Sequence, residues 1–275
     1  MKLEEALEIV AQTDSGMLRA HNEDSIAQDA SCGLVVLADG MGGYNAGEVA
    51  SGIAVEVMMA EITRSLKNIS PTSRDEETGE ELPVALLARS MHKANASIYE
   101  AAQSHSQYTG MGTTIVSALF YDNRMVVGHV GDSRLYRLRG ENLKLVTRDH
   151  SLLQEQIDCG MISVENARHS QNKNLVTRAV GIDADVLPEI HVHDVEVGDM
   201  YLLCSDGLND MVEDDDIQSI LYAMQGNLAL AAEQLIQTAN DNGGRDNISV
   251  ILVKVRQAFS QPRSRLSMLL DWFKG

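Results

Sequence analysis

Gly33-Leu34-Val35-Val36-Leu37-Ala38-Asp39-Gly40 is the stretch on which the fold turns. An uncharged apolar run leads straight into Asp-Gly. A run this short, with β-branched residues and glycines after it, predicts a buried strand. Three more segments place an Asp where a strand gives way to a loop: Arg19-Ala20-His21-Asn22-Glu23-Asp24, Ser205-Asp206-Gly207 and Gly244-Arg245-Asp246-Asn247. Taken singly, the Asp-Gly pairs read as turns. The first segment alone reads as a solvated charge run, and the last as a helix-to-strand loop with a surface ion pair. Taken together, with apolar strands to carry each Asp to one sheet end, they describe hard oxygen ligands beside one guanidinium. That set suits divalent cations and a phosphate group.

Outward from this strand, apolar residues at Val49, Ile53, Val57 and Met58 predict a helix over Ala46–Leu66. Residues 68–81 are polar and read as a loop, and a second helix runs from about Pro83 to Ser104. The period then changes. Thr113–Phe120, Arg124–Val130 and Ser133–Leu138 form an antiparallel meander with turns at Asp122-Asn123 and Gly131-Asp132, extended by Leu143–Val146. From Asp149 to about Asp185 the chain reads as polar and helical. Strands return at Ile190–Val195 and Met200–Cys204, helices follow Asp206, and Ile248–Val255 is the last strand. This order is not a βαβ alternation, so it predicts a mixed α+β domain of mostly antiparallel sheets covered by helices.

The 275 residues are 44% hydrophobic but only 4% aromatic, so aliphatic residues and methionine must fill the core. Met58, Met59 and Met161 are expected to be core fillers rather than ligands. The net charge of −18 repels nucleic acid and attracts cations. Cys32, Cys159 and Cys204 have neither zinc nor disulfide spacing and are expected to be buried, reduced thiols. The acidic N-terminus does not resemble a signal peptide, and no apolar run approaches the roughly 18 residues of a membrane span. These features predict a cytoplasmic protein. His191-Val192-His193 places two rings on one strand face, but it lacks a third ligand and reads as surface.

Phosphate monoesters hydrolyse very slowly in water, and two metal ions about 3.5–4 Å apart accelerate the reaction by activating a shared water and neutralising charge. Such a site needs a bridging carboxylate. Asp39 is the candidate bridge, and Gly40 offers a backbone carbonyl. Asp206 and Asp246 would complete one ion's shell, with Glu23 holding the other through water. Arg19 has the planar fork that grips phosphate oxygens.

With Gly110-Met111-Gly112-Thr113-Thr114 and Val130-Gly131-Asp132-Ser133-Arg134, these motifs in this order resemble the metal-dependent protein phosphatases, the type 2C or PPM family, from about Val10 to Val255. The resemblance implies a four-layer α-β-β-α sandwich with the metals between its sheets, and hydrolysis of phosphoserine and phosphothreonine in proteins. It implies that Arg19 binds phosphate and that Glu23, Asp39, Gly40, Asp206 and Asp246 surround two Mn²⁺ or Mg²⁺ ions. Asp24 and Asp132 also match functional positions; Asp132 with Asp206 resembles a third, weaker ion site of bacterial members. Many eukaryotic members carry a His after the Asp-Gly pair, proposed to protonate the leaving group. Met41 stands there instead, and a thioether cannot donate a proton. A metal-bound water, His21, or no acid at all remain as alternatives. Asp149 to about Leu187 resembles the family's flap, and its Asn-rich stretch from Asn166 to Asn174 fits either a mobile lid or an ordinary surface excursion.

A catalytic domain is thus expected over residues 5–256 and a separate tail over 257–275. Residues 256–275 hold four basic residues, one acidic residue and the chain's only Trp. Leu266, Leu269, Leu270 and Phe273 fall on one face of a short helix. Such a tail either docks on a partner protein or an anionic membrane, or packs back on its own domain. The expected partners are phosphorylated proteins, among them a Ser/Thr kinase and its substrates. Two other functions fit the motifs: a non-catalytic phosphoprotein-binding module, against which the intact carboxylates argue, and a hydrolase of small phosphate esters.

Overall fold

The structure is a computed structural model that describes residues 2–43, 46–67, 70, 72–163 and 175–260. The Asn-rich part of the expected flap and the Leu266–Phe273 helix lie outside the described residues.

The chain starts with a short helix α1 (Leu3–Ala6) and strands β1 (Leu7–Asp14), β2 (Asp24–Asp29) and β3 (Leu34–Met41). Helices α2 (Ala46–Leu66) and α3 (Leu82–Ser104) follow. The meander comprises β4 (Gly112–Thr113), β5 (Ile115–Tyr121), β6 (Arg124–Val130), β7 (Arg134–Arg139) and β8 (Asn142–Leu145). After α4 (Leu152–Asp158) come β9 (Glu189–Asp194), β10 (Met200–Cys204), α5 (Asp206–Asn209), α6 (Asp214–Ala223), α7 (Leu228–Asp241) and β11 (Ile248–Val255).

Two antiparallel sheets result, in the orders β1-β11-β10-β7-β8 and β2-β3-β5-β6-β9, with β4 paired to β3. The unbroken apolar runs are explained by burial on both faces. Leu34, Val36 and Ala38 of β3 pack toward α2 and α3, whereas Val35 and Leu37 point between the sheets. The other sheet repeats this. Val250 and Leu252 of β11 pack toward α6 and α7, while Ile251 and Val253 face the inter-sheet core. A strand with no solvent face has no reason to alternate polar residues. The layers are therefore helices, sheet, sheet, helices: the four-layer α-β-β-α sandwich.

The expected boundaries of α2, β6, β10 and β11 match those observed. Asp122 and Asn123 both have positive φ, as a two-residue hairpin turn demands. Thr113–Phe120 is not one strand. The ladder breaks at Thr114, whose N–H donates to the Asp39 carbonyl (2.9 Å) and whose hydroxyl accepts from the Asp39 N–H (3.1 Å).

Several expectations are corrected. Between 175 and 188 the chain is not helical; it is held by isolated bridges, Ser151 to Val176 and Thr113 to Val180. Met161 is 76% exposed and fills no core, whereas Met58 is fully buried. Cys204 is buried, but Cys32 is only partly so and Cys159 is exposed. Phe259, beyond the last strand, is buried and sits edge-on to Phe120 with ring centroids 6.5 Å apart. Its N–H donates to Asn123 Oδ1. Among the described residues, no helix is long and apolar enough to cross a membrane.

Candidate active site

The ends of β3, β6 and β10 and the starts of β2 and β11 lie at one edge of this sandwich. Asp39 lies near the end of β3, directly across from Asp24 at the start of β2. Asp132 sits in the turn between β6 and β7, Asp206 opens α5 after β10, and Asp246 lies just before β11. The structure therefore brings together all the predicted carboxylates: Glu23, Asp24 and Asp39 at the β2–β3 edge of one sheet, Asp206 and Asp246 beside β10 and β11 of the other, with Asp132 between. Asp39, Asp206, Asp246 and Glu23 are half-buried; Asp132 and Asp24 are buried.

Backbone contacts fix the frame. The Gly40 N–H donates to the Glu23 carbonyl at 3.1 Å. Gly40 packs so closely on Gly47 of α2 that a Cβ on Gly40 would lie 2.2 Å from the Gly47 carbonyl oxygen. The site's floor thus tolerates no side chain at Gly40. Asp39 is held by the Thr114 contacts, and the Thr114 hydroxyl also bonds the Ser133 hydroxyl at 2.7 Å, next to Asp132.

Asn247 organises the loop that carries Arg19 and Glu23. Its Oδ1 accepts from the Glu23 N–H (2.8 Å), and its Nδ2 donates to the carbonyls of Ser15 (3.0 Å) and His21 (2.9 Å). Ser205 and Ser249 donate their hydroxyls to Asp24 Oδ2 at 2.8 and 2.6 Å. These supporting residues were not singled out from the sequence. Asn247 and Ser205 flank predicted carboxylates, which is the only signal that points to them. Thr114 closes the Gly110–Thr114 motif, and Ser249 carries no signal.

The electrostatics are those of crowded acids. Burial holds the Asp39 carboxyl well above the usual range, and the charges of Asp24, Asp206, Asp132 and Asp246 raise it further. Asp206 is raised in the same way, first by burial and then by Asp132 and Asp246. Burial pushes Asp24 up to about 6 against its serine hydrogen bonds, and its Oδ1 is buried with no hydrogen-bond partner. Asp132 is likewise pushed up to about 6, by burial and by Asp149. Glu23 is raised by burial, an effect that Arg19 offsets. Arg19 lies at the rim, with Nη2 2.6 Å from Asp246 Oδ2. An all-oxygen, strongly negative cluster with unsatisfied buried acceptors fits divalent Mn²⁺ or Mg²⁺, which would relieve its mutual repulsion. His21 is exposed, and its carbonyl rather than its ring is what Asn247 holds.

The sequence pattern of the family described as protein phosphatase 2C matches residues 19–246, from the rim arginine to the last carboxylate. The chain belongs to the protein phosphatase 2C family. Among relatives, the serine/threonine phosphatase stp of Listeria monocytogenes is 37% identical over 249 residues, which are 88% of this chain and 94% of that protein. Protein phosphatase PhpP of Streptococcus pneumoniae is 32% identical over 255 residues, 91% of this chain and 98% of that one. The crystal structure of the Mycobacterium tuberculosis serine/threonine phosphatase PstP/Ppp superposes with a TM-score of 0.82 at 36% identity, covering 92% of this chain and 100% of that one. A structure of the PstP catalytic domain in complex with two manganese ions superposes with a TM-score of 0.79 at 35% identity, covering 92% and 99%.

Proposed function

We propose that this chain is a metal-dependent serine/threonine protein phosphatase. The observation that carries the reading is the convergence of Asp39, Asp206, Asp246, Glu23 and Asp132 at one sandwich edge, with the Arg19 guanidinium at its rim. Two Mn²⁺ or Mg²⁺ ions, when bound, supply a water of lowered pKa and neutralise charge on the phosphoryl oxygens.

The chain's own residues would do the rest. Asp39 would bridge the two ions, because it sits at the centre of the cluster and feels four other carboxylates. The Gly40 carbonyl, Asp206, Asp246 and Glu23 would complete the shells. Asp132 with Asp206 would hold a third, weaker ion. Arg19 would bind and orient the phosphate from the rim. Met41 has no proton to give, so no side chain at that position protonates the departing Ser or Thr oxygen. Ser205, Ser249 and Asn247 hold Asp24 and the Glu23 loop still. No covalent enzyme intermediate is required: Cys204 is buried, and burial pushes its thiol up to about 12.

The substrates would be phosphorylated proteins, with a Ser/Thr kinase and that kinase's own targets as the natural partners, in the cytoplasm. Residues 5–256 would be the catalytic unit and 257–275 a tail of which Phe259 packs on the domain and the part beyond it serves as a docking element for a partner or an anionic membrane. The decisive assay measures release of phosphate from a phosphothreonine peptide, with and without Mn²⁺, for wild type and Asp39→Asn. Activity should vanish with chelator and return with metal. Full activity after exhaustive chelation would overturn the reading. A panel that adds small phosphate esters separates a protein phosphatase from a general esterase.

A further inference from the structure

His129 and His150 are far apart in the chain but meet face to face, with ring centroids 4.8 Å apart and planes 16° apart. Both are buried. With Glu189 they bring nitrogen and oxygen atoms within 4.8 Å of one another. Both Nε2 atoms face Glu189 Oε2, at 3.2 Å from His150 and 3.8 Å from His129, but His129 Nε2 also lies 2.8 Å from the Arg148 carbonyl and Arg178 Nη1 stands 3.4 Å from His150 Nε2. The arrangement therefore suits hydrogen bonding, not a cation.

The bonds that His150 makes are specific. Its Nδ1 accepts from the Gly131 N–H at 3.1 Å, and its own N–H donates to the Gly131 carbonyl at 2.9 Å. An acceptor at Nδ1 places the ring proton on Nε2, which faces Glu189 Oε2 at 3.2 Å. Burial lowers the basicity of both imidazoles and so favours this neutral form. The His150 carbonyl accepts from the Thr177 N–H at 2.8 Å, which ties in the irregular arm at 175–188.

Gly131 is the residue before Asp132. Its φ is +105°, and a Cβ there would lie 2.5 Å from Thr114 Cγ2. Gly131 is thus held on both sides by His150, its N–H by the ring and its carbonyl by the His150 backbone N–H, and it packs tightly against Thr114. Thr114 in turn bonds Ser133 and Asp39. A continuous path runs from His150 through Gly131 to the carboxylate cluster.

We infer that His150 is a positioning residue for Asp132: by accepting the Gly131 N–H, its ring fixes the glycine that delivers the Asp132 carboxylate to the cluster, while its backbone carbonyl couples that turn to the 175–188 arm. This rests on the reading of Asp132 as a ligand of a third, weaker ion. Loss of the acceptor leaves a buried N–H unpaired and the turn free to shift, while the core carboxylates stay in place.

The test uses the full chain and a phosphothreonine peptide at a series of Mn²⁺ concentrations. His150→Ala and Asp132→Ala should each lower kcat by about 10-fold, the lower end of what is typical when a supporting partner of a metal ligand is lost. KM should change little, and calorimetry should still count two tightly bound Mn²⁺ ions. The double variant should be no worse than Asp132→Ala alone, because both changes act through one carboxylate. His150→Asn puts an amide oxygen where Nδ1 was and should recover most of the rate. His150→Gln places its amide at the Nε2 position instead and should not; this pair decides the matter if His150→Ala fails to fold. Multiplying losses in the double variant, or equal damage from Asn and Gln, would overturn the inference alone. A wild-type rate for Asp132→Ala would overturn the reading of Asp132, and this inference with it.

Discussion

Arg19 Nη2 lies 2.6 Å from Asp246 Oδ2, so the cationic rim of the site and one of its carboxylates are already in contact. The guanidinium is about half exposed, with its side chain at 51% relative accessibility. It shares Asp246 between two tasks, neighbour to a phosphate grip and ligand in the cluster. Arg19→Ala should raise KM by about 10-fold or more, the scale of one charged hydrogen bond of roughly 1.5–3 kcal/mol, with a smaller effect on kcat. It should also tighten Mn²⁺ binding, since a positive charge leaves the cluster. Arg19→Lys should not restore KM, because an ammonium lacks the planar fork. Steady-state kinetics and calorimetry on the same variants check both arms. Weaker Mn²⁺ binding in Arg19→Ala would contradict the electrostatic argument.

Asp39→Asn should abolish turnover, by more than the roughly 10–100-fold typical of losing an outer partner of a ligand. The amide keeps the shape and the backbone contacts with Thr114, but it cannot bridge two cations with a full negative charge. The variant should fold, and the metal-free form should melt no lower than wild type, because a repelled buried carboxyl has been neutralised. A wild-type rate would show that the bridge lies elsewhere.

Mn²⁺ binding should release protons, and more of them at pH 6 than at pH 8. The folded-state pKa values of Asp24 and Asp132 are raised to about 6, and burial and neighbouring carboxylates hold Asp39 and Asp206 well above the usual carboxylate range. A carboxyl raised above its unfolded value of about 4 contributes stability that is complete below that value. The contribution is lost as pH rises through the folded value. The metal-free protein should therefore lose stability between about pH 4 and pH 6 from Asp24 and Asp132, and Mn²⁺ should raise the melting temperature more at pH 8 than at pH 5. Calorimetry in buffers of differing ionisation enthalpy counts the protons. No buffer dependence at pH 6 would mean the cluster is already ionised there.

Phe259 marks where the fold stops. Truncation after Ser260 should leave melting temperature and peptide turnover unchanged while weakening binding to a partner or to anionic vesicles. Truncation after Gln257 removes Phe259 from its place on Phe120 and should cost about 1.5–3 kcal/mol of stability, the scale of burying one such ring. Equal melting temperatures for the two truncations would show that Phe259 contributes no packing.

Asp39 and Asp206 were legible because each stands at the end of a strand whose apolar run is unmistakable, as with Val35 to Ala38 before Asp39. Strands β1 and β2 were not legible, for a physical reason. Both are sheet edges, so Leu-Glu-Ile-Val-Ala-Gln-Thr-Asp and Asp-Ser-Ile-Ala-Gln-Asp carry mixed, half-buried residues with no clean period. Met161 misled because a thioether is equally at home in a core gap or on a surface. The roles of Asn247 and Ser249 depend on contacts more than 200 positions away in the chain, with Glu23 and Asp24, which no local pattern encodes. His129 and His150 have no ligand-like spacing; the pairing of β6 and β9 brings His129 to Glu189, and the contacts with Gly131 bring His150 there.

Strands β1 and β11 pair along their whole length, Leu7 with Val255 at one end and Asp14 with Ile248 at the other. The second end adjoins Asp246 and the Arg19 loop; the first is where chain enters and leaves the sandwich. Eight residues of strand separate the two, about 25 Å. Anything fused to, or seized by, either flank of the domain is held a full strand's length from the reacting phosphate. A tether there can bring the enzyme to a surface or a kinase without crowding its cleft, and its effect on rate should come from local concentration alone.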